Sequence, residues 1–393
     1  MLPCNAVNTY NREPYMTKPF EKPIYVTSPS LPPLEEFIPY LEKIWESKWL
    51  TNNGQFHQQF EAALAEYLGV KHLSFFTNGM IALQAGMQAL RITGEVITTP
   101  FTFVATTHAI HLNNCTPVFC DIESDTFTLD PDKVESLVTS RTTAIMPVHV
   151  YGNPCQHEKL QAIAETYGLT LFYDAAHMFG VRKDGVSVVN WGDLSMLSFH
   201  ATKVFNTFEG GALVTNDETM KKRIDFLKNF GIQDEVTVIA PGSNGKVDEL
   251  RSAFGLLQLK HVDSEISKRQ KVADFYRKRL MDVHGIRILH DLPGVRHNYG
   301  YFPILVDAEA YGMTRDTLYD KFKANGIYTR RYFYPLCSTF PTYRCLPTAL
   351  PGSLPVAEKV AQEVLCLPIF ADLDEERMLQ IVDVIRTIAL RFV

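Results

Sequence analysis

Three short segments carry residue types that could act together. In Leu194-Ser-Met-Leu-Ser-Phe-His-Ala-Thr-Lys-Val-Phe-Asn-Thr-Phe-Glu-Gly-Gly211, an apolar run gives way to a loop bearing Ser198, His200, Thr202 and Lys203. A lone lysine is ordinarily a solvated surface charge. Lys203 is instead set among apolar and small hydroxyl residues, where desolvation lowers an amine's pKa and frees it to attack a carbonyl. That is the setting of a Schiff-base lysine. In Leu171-Phe-Tyr-Asp-Ala-Ala-His-Met-Phe-Gly180, an apolar strand ends in Asp174 and His177 follows three positions later. An acid at the carboxyl end of a parallel strand lies on the ligand side of such a sheet, although by itself a strand-end Asp is more often a cap or turn former than a catalytic group. In Phe75-Phe-Thr-Asn-Gly-Met-Ile-Ala-Leu83, a strand end, an Asn78-Gly79 turn and a helix starting near Met80 would offer backbone N–H groups to a phosphate, Gly79 allowing close approach. Alone, this is an ordinary strand-turn-helix.

Together the three segments meet the needs of pyridoxal phosphate: a helix N-terminus for its phosphate, a lysine for its aldehyde and an acid for its pyridine nitrogen. Other phosphate chemistry has less support. There is no Gly-x-Gly-x-x-Gly, and the Walker-like Gly245-Lys246 is followed by Val247, not Ser or Thr, with Ala240 where the first Gly belongs.

The elements that must position these groups follow from periodicity. Short apolar runs at His72–Phe76, Val96–Thr99, Thr116–Asp121, Thr143–Val148, Thr170–Tyr173, Leu194–Phe199 and Gly211–Val214 alternate with helical patterns at Ile81–Leu90, Val104–Leu112, Pro131–Leu137 and Cys155–Thr166. Strand-helix alternation predicts an α/β domain with a mainly parallel sheet. Helices are expected before it, at Leu34–Trp45 and Phe56–Leu68, and after it, at Glu218–Lys228 and Val247–Ile266. The final third reads as a smaller α+β domain: a strand at Tyr301–Val306, a helix at Arg315–Asn325, a Pro-rich aromatic stretch, and helices at Pro355–Leu365 and Asp374–Ala389. In the last, Met378, Ile381, Val382, Ile385 and Ile388 form one apolar stripe. The expected division is 1–255, a large cofactor-binding domain with an N-terminal arm, and 256–393, the small domain.

Composition narrows the partners. The 393 residues carry 38 Lys and Arg against 44 Asp and Glu, a formal charge of −6 without basic tracts, which argues against nucleic-acid or membrane binding through bulk charge. No apolar run reaches the roughly 18 residues that span a bilayer, and the first twenty residues lack a secretion signal. Seven cysteines without Cys-x-x-Cys pairs fit a reduced, cytoplasmic protein, with Cys115 and Cys120 as small hydrophobes in or beside a strand. No metal site is expected.

Ser-Phe-His-Ala-Thr-Lys-Val-Phe-Asn-Thr-Phe-Glu-Gly-Gly, Asp-Ala-Ala-His and Pro-Phe-Thr-Phe-Val-Ala-Thr are specific signatures. From about Ser28 to the C-terminus the chain resembles the DegT/DnrJ/EryC1/StrS sugar aminotransferases, fold-type I pyridoxal-phosphate enzymes with an aspartate-aminotransferase-like fold. By that resemblance Lys203 bonds the cofactor's aldehyde and later shuttles a proton, Asp174 pairs with the pyridine nitrogen, and His177 helps hold the phenolic oxygen. Ser198 and the Gly79 and Met80 amides hold the phosphate, Phe103 stacks on the ring, and Asn229 reaches the phosphate of a partner subunit in a homodimer. Two departures stand out: Met80 where the family usually has Thr, and Arg331-Tyr-Phe-Tyr-Pro-Leu-Cys337 in place of a pattern close to His-Tyr-Pro-x-Pro-Leu-His. Lys246 and Arg331 are expected to contact a nucleotide diphosphate or sugar, since an acidic protein needs local cations for a dianion. For His200 a substrate contact and an ordinary loop histidine are both open readings.

The resemblance implies amination of a nucleotide-linked keto sugar, dTDP-4-keto-6-deoxy-D-glucose foremost, with L-glutamate as donor and 2-oxoglutarate as product, for surface polysaccharide. Amination at C3 and a non-catalytic, cofactor-binding regulator are the alternatives. A related 3-dehydratase would carry histidine in place of Lys203.

Overall fold

Seven apolar runs become the strands of one sheet in the computed structural model, which describes residues 22–389. The opening twenty residues read for a secretion signal, Cys4 and the side chain of Ile388 lie outside the described residues. The strands are β1 (His72–Phe76), β2 (Glu95–Thr98), β3 (Thr116–Phe119), β4 (Thr142–Met146), β5 (Thr170–Asp174), β6 (Leu194–Ser198) and β7 (Gly211–Thr215), in the order β1-β7-β6-β5-β4-β2-β3. All neighbours are parallel except β7, which runs against both β1 and β6. The strands read as near-continuous apolar runs because both faces are covered.

Helices α1 (Leu34–Ser47) and α2 (Gln55–Leu68) precede the sheet, and α3 (Gly79–Ala89), α4 (Val104–Leu112), α5 (His157–Tyr167) and α6 (Glu218–Leu227) are interleaved with its strands or follow it. Residues of α3, α4 and α6 share one apolar cluster against the sheet; α5 and α2 contribute to two others. Pro131–Leu137, expected as a helix, forms two 3₁₀ turns, Pro131–Lys133 and Glu135–Leu137. So short a segment gains too few i→i+4 bonds to offset nucleation.

Helix α7 (Glu249–Leu280) is 32 residues long and begins at Asp248, whose Oδ1 accepts from Arg251 N at 2.8 Å. It runs well past the expected end at Ile266, because Val272, Ala273, Tyr276 and Leu280 continue the buried stripe at helical spacing. The division drawn at 255/256 falls inside this one helix. Beyond it, β8 (Ile286–Ile288), β9 (Phe302–Val306) and β10 (Val364–Leu367) make an antiparallel sheet with β9 central. Helices α8 (Ala308–Tyr311), α9 (Arg315–Ala324), α10 (Pro355–Glu363) and α11 (Glu375–Ala389) complete the chain. The helix expected over Pro355–Leu365 stops at Glu363. Val364–Leu367 is buried throughout and pairs Val364 with Leu305 and Leu367 with Phe302, so ladder bonds and two-sided burial override local periodicity. The arm before α1 joins this region through Ile24–Tyr25, which pairs in parallel with Ile327–Tyr328.

Cys115, Cys120, Cys155, Cys337 and Cys366 are free and buried, and Cys345 is free and exposed. No described helix is long and apolar enough to cross a membrane.

Candidate active site

Asp174 ends β5 and Ser198 ends the adjacent strand β6, so two polar side chains emerge at the carboxyl edge of the sheet. Asp174 is 4% exposed. Its Oδ2 accepts from Thr106 Oγ1 at 2.7 Å and its Oδ1 from Ala176 N at 3.1 Å. Burial raises its pKa, opposed by these hydrogen bonds and by Lys203. A cationic N–H laid against it would restore the ionised form.

Lys203 lies in the loop after β6, and its Nζ donates to Tyr301 Oη at 2.9 Å. Desolvation draws its pKa down to about 8, against the opposing pull of Asp174 and Tyr332. His177 is buried, and its Nδ1 accepts from Tyr151 N at 3.0 Å. Burial first and Lys203 second push its pKa well down. The neutral ring therefore carries its proton on Nε2, as a donor. The imidazole is parallel to Phe333 at 6.1 Å between centroids and sits 4.5 Å from the Tyr301 ring. Ala176, His177, Thr202, Lys203, Asn298 and Tyr301 line one cavity.

The phosphate turn forms as its residue types demand. Asn78 caps α3 through Oδ1, which accepts from Ile81 N at 2.9 Å. The amides of Gly79 and Met80 lie in the first turn and have no intrahelical acceptor. Register does the rest: Gly211 of β7 pairs with Phe76 on one side and Ser198 on the other, which sets Ser198 beside the turn. A Cβ on Gly79 would lie 3.0 Å from Met196 Sδ and 3.6 Å from Ser198 Oγ; one on Gly211 would lie 2.7 Å from both Asn78 C and Gly79 N. Gly211→Ala therefore pushes backbone against the turn itself. Cofactor affinity is expected to fall about tenfold, with a stability loss of about 1–3 kcal/mol; fluorescence titration of the cofactor-free protein and a thermal melt measure the two.

Phe103 caps α4 and is 62% exposed, two residues from the fully buried Phe101, and its carbonyl accepts from Thr106, the partner of Asp174. Thr102 and Thr106 share a hydrogen bond of 2.9 Å beneath it.

Of the remaining expected contacts, His200 adjoins Lys203, its carbonyl accepting from Lys203 N at 2.9 Å, while Lys246 and Asn229 are grouped elsewhere. Lys246 Nζ donates to Asn229 Oδ1 at 2.9 Å and stands 4.6 Å from the Phe230 ring. Both line a separate polar cavity of about 310 Å³ with His57, Glu61 and Lys228. Arg331 pairs with Asp316 at 2.8 Å between the rings of Tyr319 and Tyr334. His200 engages Thr202 Oγ1 at 2.8 Å and Glu209 at 3.5 Å within its own loop.

The sequence reading of the site missed Thr106, which bonds Asp174, Tyr151 and Phe333, which pack on His177, and Asn298 and Tyr301, which line the cavity with Lys203. Thr106 closes the Pro-Phe-Thr-Phe-Val-Ala-Thr signature and could have been found there. Tyr301 opens an apolar run and resembles any core aromatic.

The residues present fit pyridoxal phosphate. A buried carboxylate forms no ion pair among the described residues, Lys203 acting on it only from a distance, an amine is desolvated to a pKa of about 8, and a helix N-terminus free of Cβ crowding faces a serine hydroxyl.

Comparisons with known proteins agree. The chain is 52% identical over 362 residues to the dTDP-4-amino-4,6-dideoxy-D-glucose transaminase of Escherichia coli, covering 92% of this chain and 97% of that one. It is 50% identical to the enzyme of the same name from Shigella dysenteriae, covering 94% and 100%. Its fold matches the crystal structure of DesI, solved in the presence of its TDP-sugar product, with a TM-score of 0.91 at 36% identity over 95% of each chain. The family model described as the DegT/DnrJ/EryC1/StrS aminotransferase family matches residues 34–386. The α/β architecture is that of these aminotransferases, and the cofactor is pyridoxal phosphate. With its lysine, acid and phosphate turn set at one sheet edge, the chain belongs to the DegT/DnrJ/EryC1/StrS aminotransferase family.

Proposed function

We propose that this chain transfers the amino group of L-glutamate to dTDP-4-keto-6-deoxy-D-glucose, releasing 2-oxoglutarate and dTDP-4-amino-4,6-dideoxy-D-glucose for surface polysaccharide. The observation that carries the reading is near-full-length identity of 52% and 50% to two transaminases named for that sugar, with Lys203, Asp174 and the Asn78-Gly79 turn at the site. The free buried cysteines support a reducing, cytoplasmic setting.

Pyridoxal phosphate, when bound, supplies an electron sink for the carbanion at the carbon bearing the amine. Asp174 holds a proton on the pyridine nitrogen and keeps that sink strong. Nε2 of His177 donates toward the phenolic oxygen, and Phe103 covers one ring face and excludes water. Ser198 and the Gly79 and Met80 amides bind the phosphate. Lys203 Nζ would take the proton from the donor's Cα in the first half and deliver a proton to the sugar carbon in the second. Asn229 and Lys246 act in the site of a second copy in a homodimer. Lys246, Arg331 and His200 each contact the nucleotide sugar by exchanging their present partners, Asn229, Asp316 and the Thr202–Glu209 pair, for ligand oxygens.

Purified protein is expected to show a visible band from lysine-bound cofactor, which L-glutamate converts to the shorter-wavelength amine form. A panel of 3-keto and 4-keto nucleotide sugars, read by product NMR, should give amination at C4; exclusive amination at C3 would overturn the sugar assignment. The lowered pKa of Lys203 also fixes a pH dependence. The neutral amine predominates above about pH 8, where an ordinary lysine needs pH above 10.5. The rate at which the cofactor-free protein takes up pyridoxal phosphate should therefore rise through pH 8 and level off above it, and a midpoint near 10 would contradict the desolvated site.

A further inference from the structure

The hydroxyl of Tyr301 accepts from Lys203 Nζ at 2.9 Å, and the roles above leave it unused. Among the described residues Tyr301 Oη has no other hydrogen-bond partner. Its ring is fixed from several sides: 4.5 Å from His177, 5.6 Å from Tyr151, and edge-on to Tyr332 at 5.9 Å and 83°. The backbone leading to it is fixed too. Asn298 Nδ2 donates to His177 O at 2.8 Å and Phe179 O at 2.9 Å, while its Oδ1 accepts from Gly300 N at 3.1 Å. Tyr301 then leads directly into β9, the central strand of its sheet. The hydroxyl is thus held in one place relative to His177, on a rigid element.

Lys203 has the opposite character, a flexible four-carbon stem ending in a rotatable amine. Proton transfer demands that this amine be held within about 3–3.5 Å of its target. An N–H given to a fixed oxygen orients the remaining N–H bonds and the lone pair away from that oxygen. The titratable groups facing Nζ are Tyr301, Asp174, His177 and Tyr332, and of these only Tyr301 bonds it directly.

We propose that Tyr301 is a positioning residue of the amino transfer, its hydroxyl accepting one N–H of Lys203 and holding the released amine aimed at the carbon with which it exchanges a proton. The inference rests on the aminotransferase reading of Lys203. It involves no new bond or electron transfer, only the orientation of the group that moves the proton.

The test is Tyr301→Phe, which keeps the ring and removes one oxygen. In the holoenzyme kcat should fall about 10- to 100-fold while KM for glutamate and for the keto sugar changes less than about threefold. The isotope effect with Cα-deuterated glutamate should grow as proton transfer becomes limiting. In the cofactor-free full-length chain, pH-dependent acetylation of Lys203 read by mass spectrometry should show its pKa lower by about half a unit to one unit, since a neutral acceptor favours the ammonium over the amine. Tyr276→Phe removes another buried tyrosine hydroxyl, one that donates to Pro368 O at 2.9 Å, and should leave the Lys203 titration in place. An unchanged Lys203 titration with kcat within twofold of wild type would overturn the proposal, as would an equal shift in Tyr276→Phe. Failure of the wild-type protein to aminate any keto sugar would overturn the functional reading instead, and the Lys203 titration would still decide the Tyr301 contact.

Discussion

Lys203→Ala is expected to lose turnover by about 10⁴-fold or more, because one nitrogen supplies both the nucleophile that bonds the cofactor and the base that moves the proton, and proton transfer alone is worth about 10²–10⁴-fold. The loss should fall on kcat. Pyridoxal phosphate should still bind through the phosphate turn and Asp174, and the visible lysine-bound band should vanish. Unfolding does not explain the loss, because burying the Lys203 ammonium costs stability. Its pKa is about 8 in the fold against an ordinary 10.5, so between those values the unfolded chain binds the extra proton and stability rises with pH. Below pH 8 the full cost is present. Lys203→Met should accordingly stabilise the cofactor-free protein at pH 7, by on the order of 3 kcal/mol. Single-turnover assays with glutamate, a spectrum and a melt at pH 7 check all three. Full turnover in Lys203→Ala would remove the residue from the mechanism.

Asp174→Asn should lower kcat about 10²- to 10³-fold, the range seen when one group that stabilises developing charge is removed. Asparagine can still accept from Ala176 N through its Oδ1, and its Nδ2 can donate to Thr106 Oγ1 once that hydroxyl turns its own proton to Phe103 O, so the local fold is kept while the charge is lost. Without that charge the pyridine nitrogen is no longer held protonated, and the carbanion loses its sink. A cofactor methylated at that nitrogen carries the positive charge permanently and should recover part of the activity in the variant. No recovery, or a kcat within threefold of wild type, would contradict the pairing. The sign for stability is also set. Burial raises the folded pKa of Asp174 above 3.8, so the cofactor-free wild type loses stability as pH rises from 3.8 through the folded value, and the Asn variant should not. Urea melts across that window compare the two.

Local chemistry wrote the mainly parallel sheet, and the lysine, acid and turn proposed for the site, into the chain. The runs at His72, Thr170 and Leu194 became strands with ends displaced by a residue or so, because a two-sided buried strand must be apolar along its length. Asp174, Ser198 and Asn78-Gly79 sit at strand ends and turns, where residue type and position are tied by backbone geometry. Periodicity failed where partners distant in sequence decided the outcome. Val364 and Leu365 looked helical with the segment before them, yet Val364–Leu367 pairs with Phe302–Leu305 about sixty positions away. Pro131–Leu137 was too short to stay α-helical.

Within the site the same division holds. Lysine, acid and phosphate turn were legible because each brings a scarce chemical type in a distinctive setting. Tyr301, Tyr151 and Phe333 were not, since aromatic residues fill any core and nothing in their spacing marks the three that close around His177. The sequence by itself determined which groups the protein has for amino transfer. Tertiary structure alone decided that Gly211 would seat the phosphate turn beside Ser198, that Thr106 would meet Asp174, and that Tyr301 would meet Lys203 across 98 residues of chain. The physical reason is that composition and period act over one turn or one pleat, whereas a hydrogen bond between distant segments exists only once the packed sheets and helices have fixed where each backbone lies.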